Sequence, residues 1–582
     1  MFRHNSLRKV LWSFALIVTL VLAACSTAPA SSTPPVDTPT VAASAATAEP
    51  TTRSARAPTS APAATVPPTS APPPAAEAVE VLRLPGGGYW GHPSPFGFNR
   101  GPGYTRASLL FDTLVWRDAS GETIPWLATD WSLSDDELTW TFTLRDGVRW
   151  QDGEPLTVDD VIFSIEYYRA HPGTAWFMSQ VNEIESVMAV GENQVALTLV
   201  RPFAPFLQTT AESLLIFPRH IWEDVADPQA YTEPDAFIGS GAYQLVEFSQ
   251  EEGTYLFETN PDFFLGAPYV QRIEFIPTSD NILALSNGDV AAFDKFGGVT
   301  EEMLAPFRQE PFAVSEAPGE WGMFLYFNLE KETPLQDVRV RQAIAHAVDR
   351  QAMVERVLFG FGDPGSPGFL PPANPFYNPD VPDYASDLEQ ARSLLAEAGY
   401  DGTPIQLAYS PDWIMASTRV VEIIEACLQE IGIPLELVTM DQATIDAAAT
   451  EGNYEMLITG FGGLGGDPDQ LRRNFASASP ARGFSRSQGY ANPDFDTLAE
   501  AQVSMTDPAE RRDTINQMQG ILAQDLPALA LYYTARVVVY NADVFDNWYF
   551  TPGGFGGGIP MPYNKHQFIV GLPEGLTIKG QP

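Results

Sequence analysis

The chain runs to 582 residues, with 33 basic against 73 acidic side chains and a formal net charge of −40 at neutral pH. So large an acidic excess argues against nucleic acid, or an anionic lipid surface, as the partner. With 45% hydrophobic and 12% aromatic residues the chain can build large cores, and its length suits two or three ordinary domains rather than one.

The first element is an export signal. Arg3, Arg8 and Lys9 make a basic start, Val10 to Leu22 is an apolar run too short for a stable bilayer anchor, and Leu22-Ala23-Ala24-Cys25 ends it. That ending is a lipobox, so residues 1–24 are expected to be removed and Cys25 to be acylated. Each buried CH2 of an acyl chain contributes about 0.8 kcal/mol, so a multiply acylated cysteine tethers a protein without spanning the membrane. Residues 25–78 continue as Pro, Ala, Ser and Thr, densest at Pro67-Pro68 and Pro72-Pro73-Pro74. With almost nothing to bury, this stretch reads as a disordered stalk, extended at about 3.1 Å per residue where polyproline II forms. Once Cys25 is acylated, Cys427 has no disulfide partner, and its apolar helical setting from Val420 to Ile431 reads as core.

From Val79 onward strand and helix patterns alternate. Leu138 to Leu144 alternates as a strand, and Arg145-Asp146-Gly147 turns the chain into Val148-Arg149-Trp150. A helix begins at Thr157, with Val161, Ile162, Ile165 and Tyr168 at helical spacing and Thr157 and Asp160 placed to satisfy its first amides. Asp337 to Gly360 predicts one long helix, its apolar face made by Val340, Ile344, Ala347, Val348, Val354 and Leu358 and its stop by Gly360. A shorter helix runs from Asp387, with Gln390 completing a capping box, to Gly399. Asp507-Pro508-Ala509-Glu510 starts another that Pro527 ends, and Leu529 to Tyr540 follows as a strand. This mixture means α/β layers with more than one core.

Several stretches then carry a likeness. Leu127 to Trp131, Leu138 to Trp150 and Asp152 to Thr157 together resemble the signature region of the family 5 extracellular solute-binding proteins, the peptide- and nickel-type binding proteins of ABC importers. Gly239-Ser240-Gly241-Ala242-Tyr243, Asn260-Pro261-Asp262-Phe263-Phe264, Asn287-Gly288-Asp289-Val290 and Phe327-Asn328-Leu329 match in order. So do the helix start Asp337 to Ala343 and Leu394 to Tyr400, and the likeness covers Val79 to about Tyr540. It implies a two-lobed α/β fold of the type II periplasmic-binding-protein kind. Lobe I would take residues 79–326 with an extra subdomain at about 116–236, lobe II residues 327–535, and residues 536–582 would return to lobe I. Hinge crossings would fall near Phe327 and Ala535. The implied protein is a monomeric, lipid-anchored, extracytoplasmic binding protein, on the periplasmic face or the outer surface according to the envelope. It would close on an oligopeptide or peptide-like solute and deliver it to membrane permease subunits, with no cofactor and no metal.

The resemblance also places the ligand site. A first-lobe loop that hydrogen-bonds the ligand main chain in the oligopeptide-binding members falls at Asn99, Arg100, Gly101, Pro102, Gly103 and Tyr104. The second-lobe aspartate that pairs the ligand ammonium falls within Phe461-Gly462-Gly463-Leu464-Gly465-Gly466-Asp467-Pro468-Asp469, where Leu464 stands in its place. A leucine pairs no charge, so ammonium recognition passes to another acid, Asp467 or Asp469 among the candidates, or does not occur. Glycine-bordered aromatics, Tyr89 and Trp90 after the first strand, Trp413 and Phe555, suit stacking on sugar rings and keep an oligosaccharide ligand open.

Enzymatic readings find little footing. No Gly-x-Ser-x-Gly elbow, His-Glu-x-x-His motif or phosphate-binding glycine loop occurs, and the six histidines are scattered. A paired-carboxylate glycoside hydrolase remains as an alternative because acids are abundant, and a surface sensor on the same fold as another.

Overall fold

The computed structural model describes residues 78–569, apart from 87, 99, 172–180, 412–416 and 479–486. The signal, Cys25, the stalk, Asn99 and Trp413 therefore lie outside the described residues. The rest packs as one α/β unit around four sheets.

The alternating patterns become strands at the expected places. Thr139–Leu144 pairs antiparallel with Ala128–Leu133 on one side and Gln194–Leu199 on the other, and Ile184–Ala189 completes that four-stranded sheet. The helix Val158–Ala170 packs on it, started by Thr157 and Asp160 in a reciprocal capping box. A second four-stranded sheet runs in the order Leu82–Pro85, Arg272–Ile276, Thr254–Thr259, Tyr243–Ser249, its first pair parallel. Val115–Arg117 and Thr123–Pro125 make a small two-stranded ribbon.

The largest sheet is organised by two long antiparallel strands, Phe312–Phe327 and Ala528–Asn541. Side chains alternate across a strand, so each long strand feeds two cores at once. Met323, Leu325 and Phe327 enter one apolar cluster with Leu529 and Leu531, while Phe324 and Tyr326 enter the opposite one with Ala528 and Ala530. Met456–Phe461, Ile405–Tyr409 and Leu435–Thr439 extend the sheet on that half. On the other half Ala292–Phe296 pairs with the return strand, whose Val537 and Val539 join a small cluster while Val538 and Tyr540 join the core of the first two hundred residues. Between these halves the ladder breaks, from Ala317↔Arg536 to Trp321↔Thr534. On the return strand the break falls at Ala535. On the outgoing strand it falls at 318–320, and Phe327 pairs with Met456 inside the sheet. Pro318-Gly319 is the local cause, since neither residue suits the interior of a regular strand.

The predicted helix Asp337 to Gly360 is two helices, Val338–Ala347 and Arg350–Val357. Val348 is extended and Asp349 accepts from the Ala352 amide at 2.9 Å, so an internal capping residue restarts the helix. The helices Leu388–Ala398 and Pro508–Asp525 carry their caps at Asp387 and Asp507 as expected, the first ending at left-handed Gly399. Cys427 is half-buried in Ser417–Glu430, at the edge of the core rather than within it.

The chain end is fastened by a buried ion pair. Lys565, fully buried, donates to Asp112 at 2.5 Å and to the Phe111 carbonyl at 3.2 Å, with its ammonium over the rings of Trp116 and Trp126. Asp112 also accepts from Trp126 and Ser240. Burial pulls the Lys565 pKa down and Asp112 opposes it. Breaking one side of such a pair leaves an uncompensated charge, so Lys565→Met is expected to lower unfolding stability by about 3–5 kcal/mol, read from urea denaturation midpoints.

Candidate functional site

A cavity of about 710 Å³ opens where the long-strand ladder breaks. That is the size of a pocket for a small organic solute. Phe296, Trp321, Tyr540, Trp548 and Phe550 line it, with Glu320 and Arg536 as the charged groups nearest the break. Arg536 is taken by Asp294, on which Tyr563 also donates at 2.7 Å.

One side of this region is a loop of unusual composition, Thr551-Pro552-Gly553-Gly554-Phe555-Gly556-Gly557-Gly558-Ile559, whose five glycines all have positive φ. Only glycine adopts such a run without strain. Phe555 anchors it, fully buried with its ring 5.8 Å from that of Trp116. Arg117 donates to the Gly554 carbonyl at 3.2 Å and to Glu212 at 3.2 Å, and Glu212 accepts from the Gly557 amide. The loop lies directly on the glycines of 462–466: a β-carbon on Gly463 would stand 2.7 Å from the Gly558 carbonyl oxygen.

Glu320 joins these pieces. It sits in the strand break, its carbonyl accepts from the Leu464 amide at 3.0 Å, and its carboxylate accepts from the Gly553 amide at 3.0 Å. A β-carbon on Gly465 would collide with the Glu320 carboxyl carbon, so the absence of a side chain there makes room for the acid. Burial pushes both Glu320 and Glu212 up to about 7, against the lowering effects of the Gly553 amide and Arg117 on Glu320 and of Arg117 and the Gly557 amide on Glu212.

The residues singled out from sequence lie elsewhere. Gly101, Pro102 and Gly103 form the first turn of the helix Arg100–Leu110 instead of a loop, their carbonyl groups at 101 and 102 accepting from Thr105 and Arg106. Gly103 is pressed against the Trp90 carbonyl. Trp90 and Tyr89 are half-buried, the first donating its amide to Tyr255 and the second facing His92. Phe461 pairs through its backbone with Gly322. Leu464 is a core residue, 1% exposed. Asp467 grips Arg511 through both oxygens at 2.7 and 2.8 Å. Asp469, buried, holds Arg472 and Gln502. Tyr89, Trp90, Gly101, Pro102, Gly103, Leu464, Asp467 and Asp469 are all absent from the cavity wall, and Phe555 is a buried anchor rather than an exposed platform. The sequence reading did not single out Glu320, an acid beside Pro318-Gly319 inside a strand, where a bulge re-aims side chains.

A cavity of solute size at the crossing of two long strands, in an α/β unit, is the build of a binding protein. The chain belongs to the bacterial extracellular solute-binding proteins of family 5, whose profile matches residues 122–483. Family 5 proteins serve transport and are not enzymes, and this chain is the substrate-binding component of an ABC importer. It is 28% identical to the dipeptide-binding protein of Escherichia coli over 519 residues, covering 82% of this chain and 93% of that one. It is 27% identical to heme-binding protein A of Haemophilus influenzae, covering 75% and 84%. Among solved structures it is similar in fold to NikA from Brucella suis in complex with Fe(III)-EDTA, with a TM-score of 0.70 at 21% identity and coverage of 83% and 99%. Among the described residues no helix is long and apolar enough to cross a membrane.

The two raised carboxyl groups set a pH dependence. Between their ordinary value of 4.5 and about 7 the folded protein keeps protons that the unfolded chain has released, so stability falls as pH rises through that window. Arg117, itself paired with Glu212, is the charged group that acts on Glu320, and Arg536 and Glu316 line the same cavity. Glu320→Gln removes its share, and denaturant titrations at pH 5 and pH 8 are expected to show about 3 kcal/mol less loss across the window than in the parent chain.

Proposed function

We propose that the protein is a lipoprotein, anchored through Cys25, that captures a peptide or peptide-like solute between two lobes and hands it to its permease. The observation that carries this reading is the cavity at the strand break, where a small rotation about 317–321 and 534–536 would move the two halves of the long-strand sheet relative to one another. The dipeptide-binding relative supports a peptide ligand. The mixed lining, aromatic faces with Ser315, Glu320, Thr534 and Thr551 among them, offers both apolar contact and polar groups to a peptide.

In this reading the crossing on the outgoing strand lies at 317–321, so lobe I comprises residues 79 to about 317 with the 536–582 return, and lobe II the residues between. The lipid on Cys25 would hold the protein at the surface of the membrane that carries its permease, at a raised effective concentration.

Two measurements test the reading. A ligand at a hundred times its Kd stabilises the folded protein by about 2.7 kcal/mol, so thermal-shift screening against short peptides is expected to raise the transition temperature, and indifference to every peptide would remove the peptide assignment. Cys25→Ser is expected to move the protein from the membrane fraction to the soluble fraction in the producing cell, with the folded part's melting temperature unchanged.

A further inference from the structure

The cavity wall holds an acid without a counter-charge. Glu320 is 9% exposed, and one of its oxygens accepts from the Gly553 amide. Among the described residues no cation stands at ion-pair distance from it. The two nearby guanidinium groups are engaged, Arg117 on Glu212 and Arg536 on Asp294. A buried carboxylate left in this state is costly, and such groups in native structures are ordinarily paired. Around it the lining is aromatic: Trp321 and Phe296 stand with ring centroids 5.7 Å apart, and Tyr540, Trp548 and Phe550 complete the wall. Aromatic faces with one buried acid attract an organic cation, through the ring quadrupoles and through the carboxylate together. Gly465 keeps clear the space in which the acid lies.

We propose that Glu320 is the specificity-determining acid of this cavity, accepting the ammonium or comparable cationic head of the captured solute beside Trp321 and Phe296. This rests on the cavity being the solute site, as argued above. It also answers the loss of an acid at Leu464, since Glu320 meets the same loop from the neighbouring strand.

The test is calorimetric titration of the full chain with alanine di- to pentapeptides, free and N-acetylated, and with cadaverine and choline as cations that lack a peptide. A free peptide is expected to bind at least about 30-fold more tightly than its acetylated form. Glu320→Gln is expected to erase that ratio by weakening the free peptide alone, and Glu320→Asp to fall between. A merely structural role for Glu320 would weaken both peptides equally. If acetylation changes affinity by less than about threefold in the parent chain, the inference is overturned even if peptides bind well. If no peptide binds but cadaverine or choline does so in a Glu320-dependent way, the inference stands and the peptide assignment falls. If neither peptides nor amines bind, the inference falls as well. Should Glu320→Gln melt below the working temperature, the acetylation ratio and Glu320→Asp decide the matter.

Discussion

The pairing of Phe312–Phe327 with Ala528–Asn541 is the constraint on which the rest of the structure depends. Each strand contributes to two clusters on either side of its own sheet, and each passes from one half of the protein to the other. Hydrogen bonds of a continuous ladder would lock these halves together. Pro318-Gly319 prevents that, because a proline lacks the amide a ladder needs and a glycine adds little packing. The result is a short interval in which the two long strands share no ladder, and the cavity lies at that interval.

The glycine loop 553–558 and the acids beneath it follow from the same geometry. Backbones from residues 462–466 and from the loop approach so closely that side chains on either would collide. Amide groups brought this near one another need acceptors, and Glu320 and Glu212 supply them for Gly553 and Gly557. Arg117 compensates Glu212 through an ion pair, while among the described residues the Glu320 carboxylate has only the Gly553 amide within hydrogen-bond distance. One acid is thus part of the scaffold, and the other retains the unmet demand that a charged solute can satisfy.

Much of the fold was legible in the sequence. Period-two alternation and capping residues located the strands Thr139–Leu144 and Ala528–Asn541 and the helices begun by Asp387 and Asp507, and the ordered stretches located the family. The long helix from Asp337 failed because apolar spacing continued smoothly across Asp349, whose capping role depends on a local backbone turn that spacing does not encode. The site was far less legible. Asp467 and Asp469 look like free acids in a turn, yet Arg511 and Arg472 consume them, and Arg511 lies 44 residues beyond Asp467. Glu320 looks like a surface acid before a tryptophan. Its burial is produced by Gly465 and Gly553, residues 145 and 233 positions away, whose approach only the folded sheet brings about.

What ties the two halves together away from the long strands bears on how closure would work. Arg100 reaches Asp446 at 3.2 Å, Arg201 pairs with Glu500, and Thr506 donates to Glu137 at 2.8 Å, all at exposed positions. Exposed ion pairs contribute about 0–1 kcal/mol each and are screened by salt, so contacts of this kind would let a cleft close without holding it shut. The backbone bond from Ala204 to Val503, at 2.6 Å, and the burial of Val503 in the first core add a firmer point at one end. A hinge whose closing contacts nearly balance its opening is one whose population a solute can shift with modest differential affinity. Burying Glu320 against a cation supplies such a difference, because that pairing requires both the strand break and the loop at 553 to be in place around it.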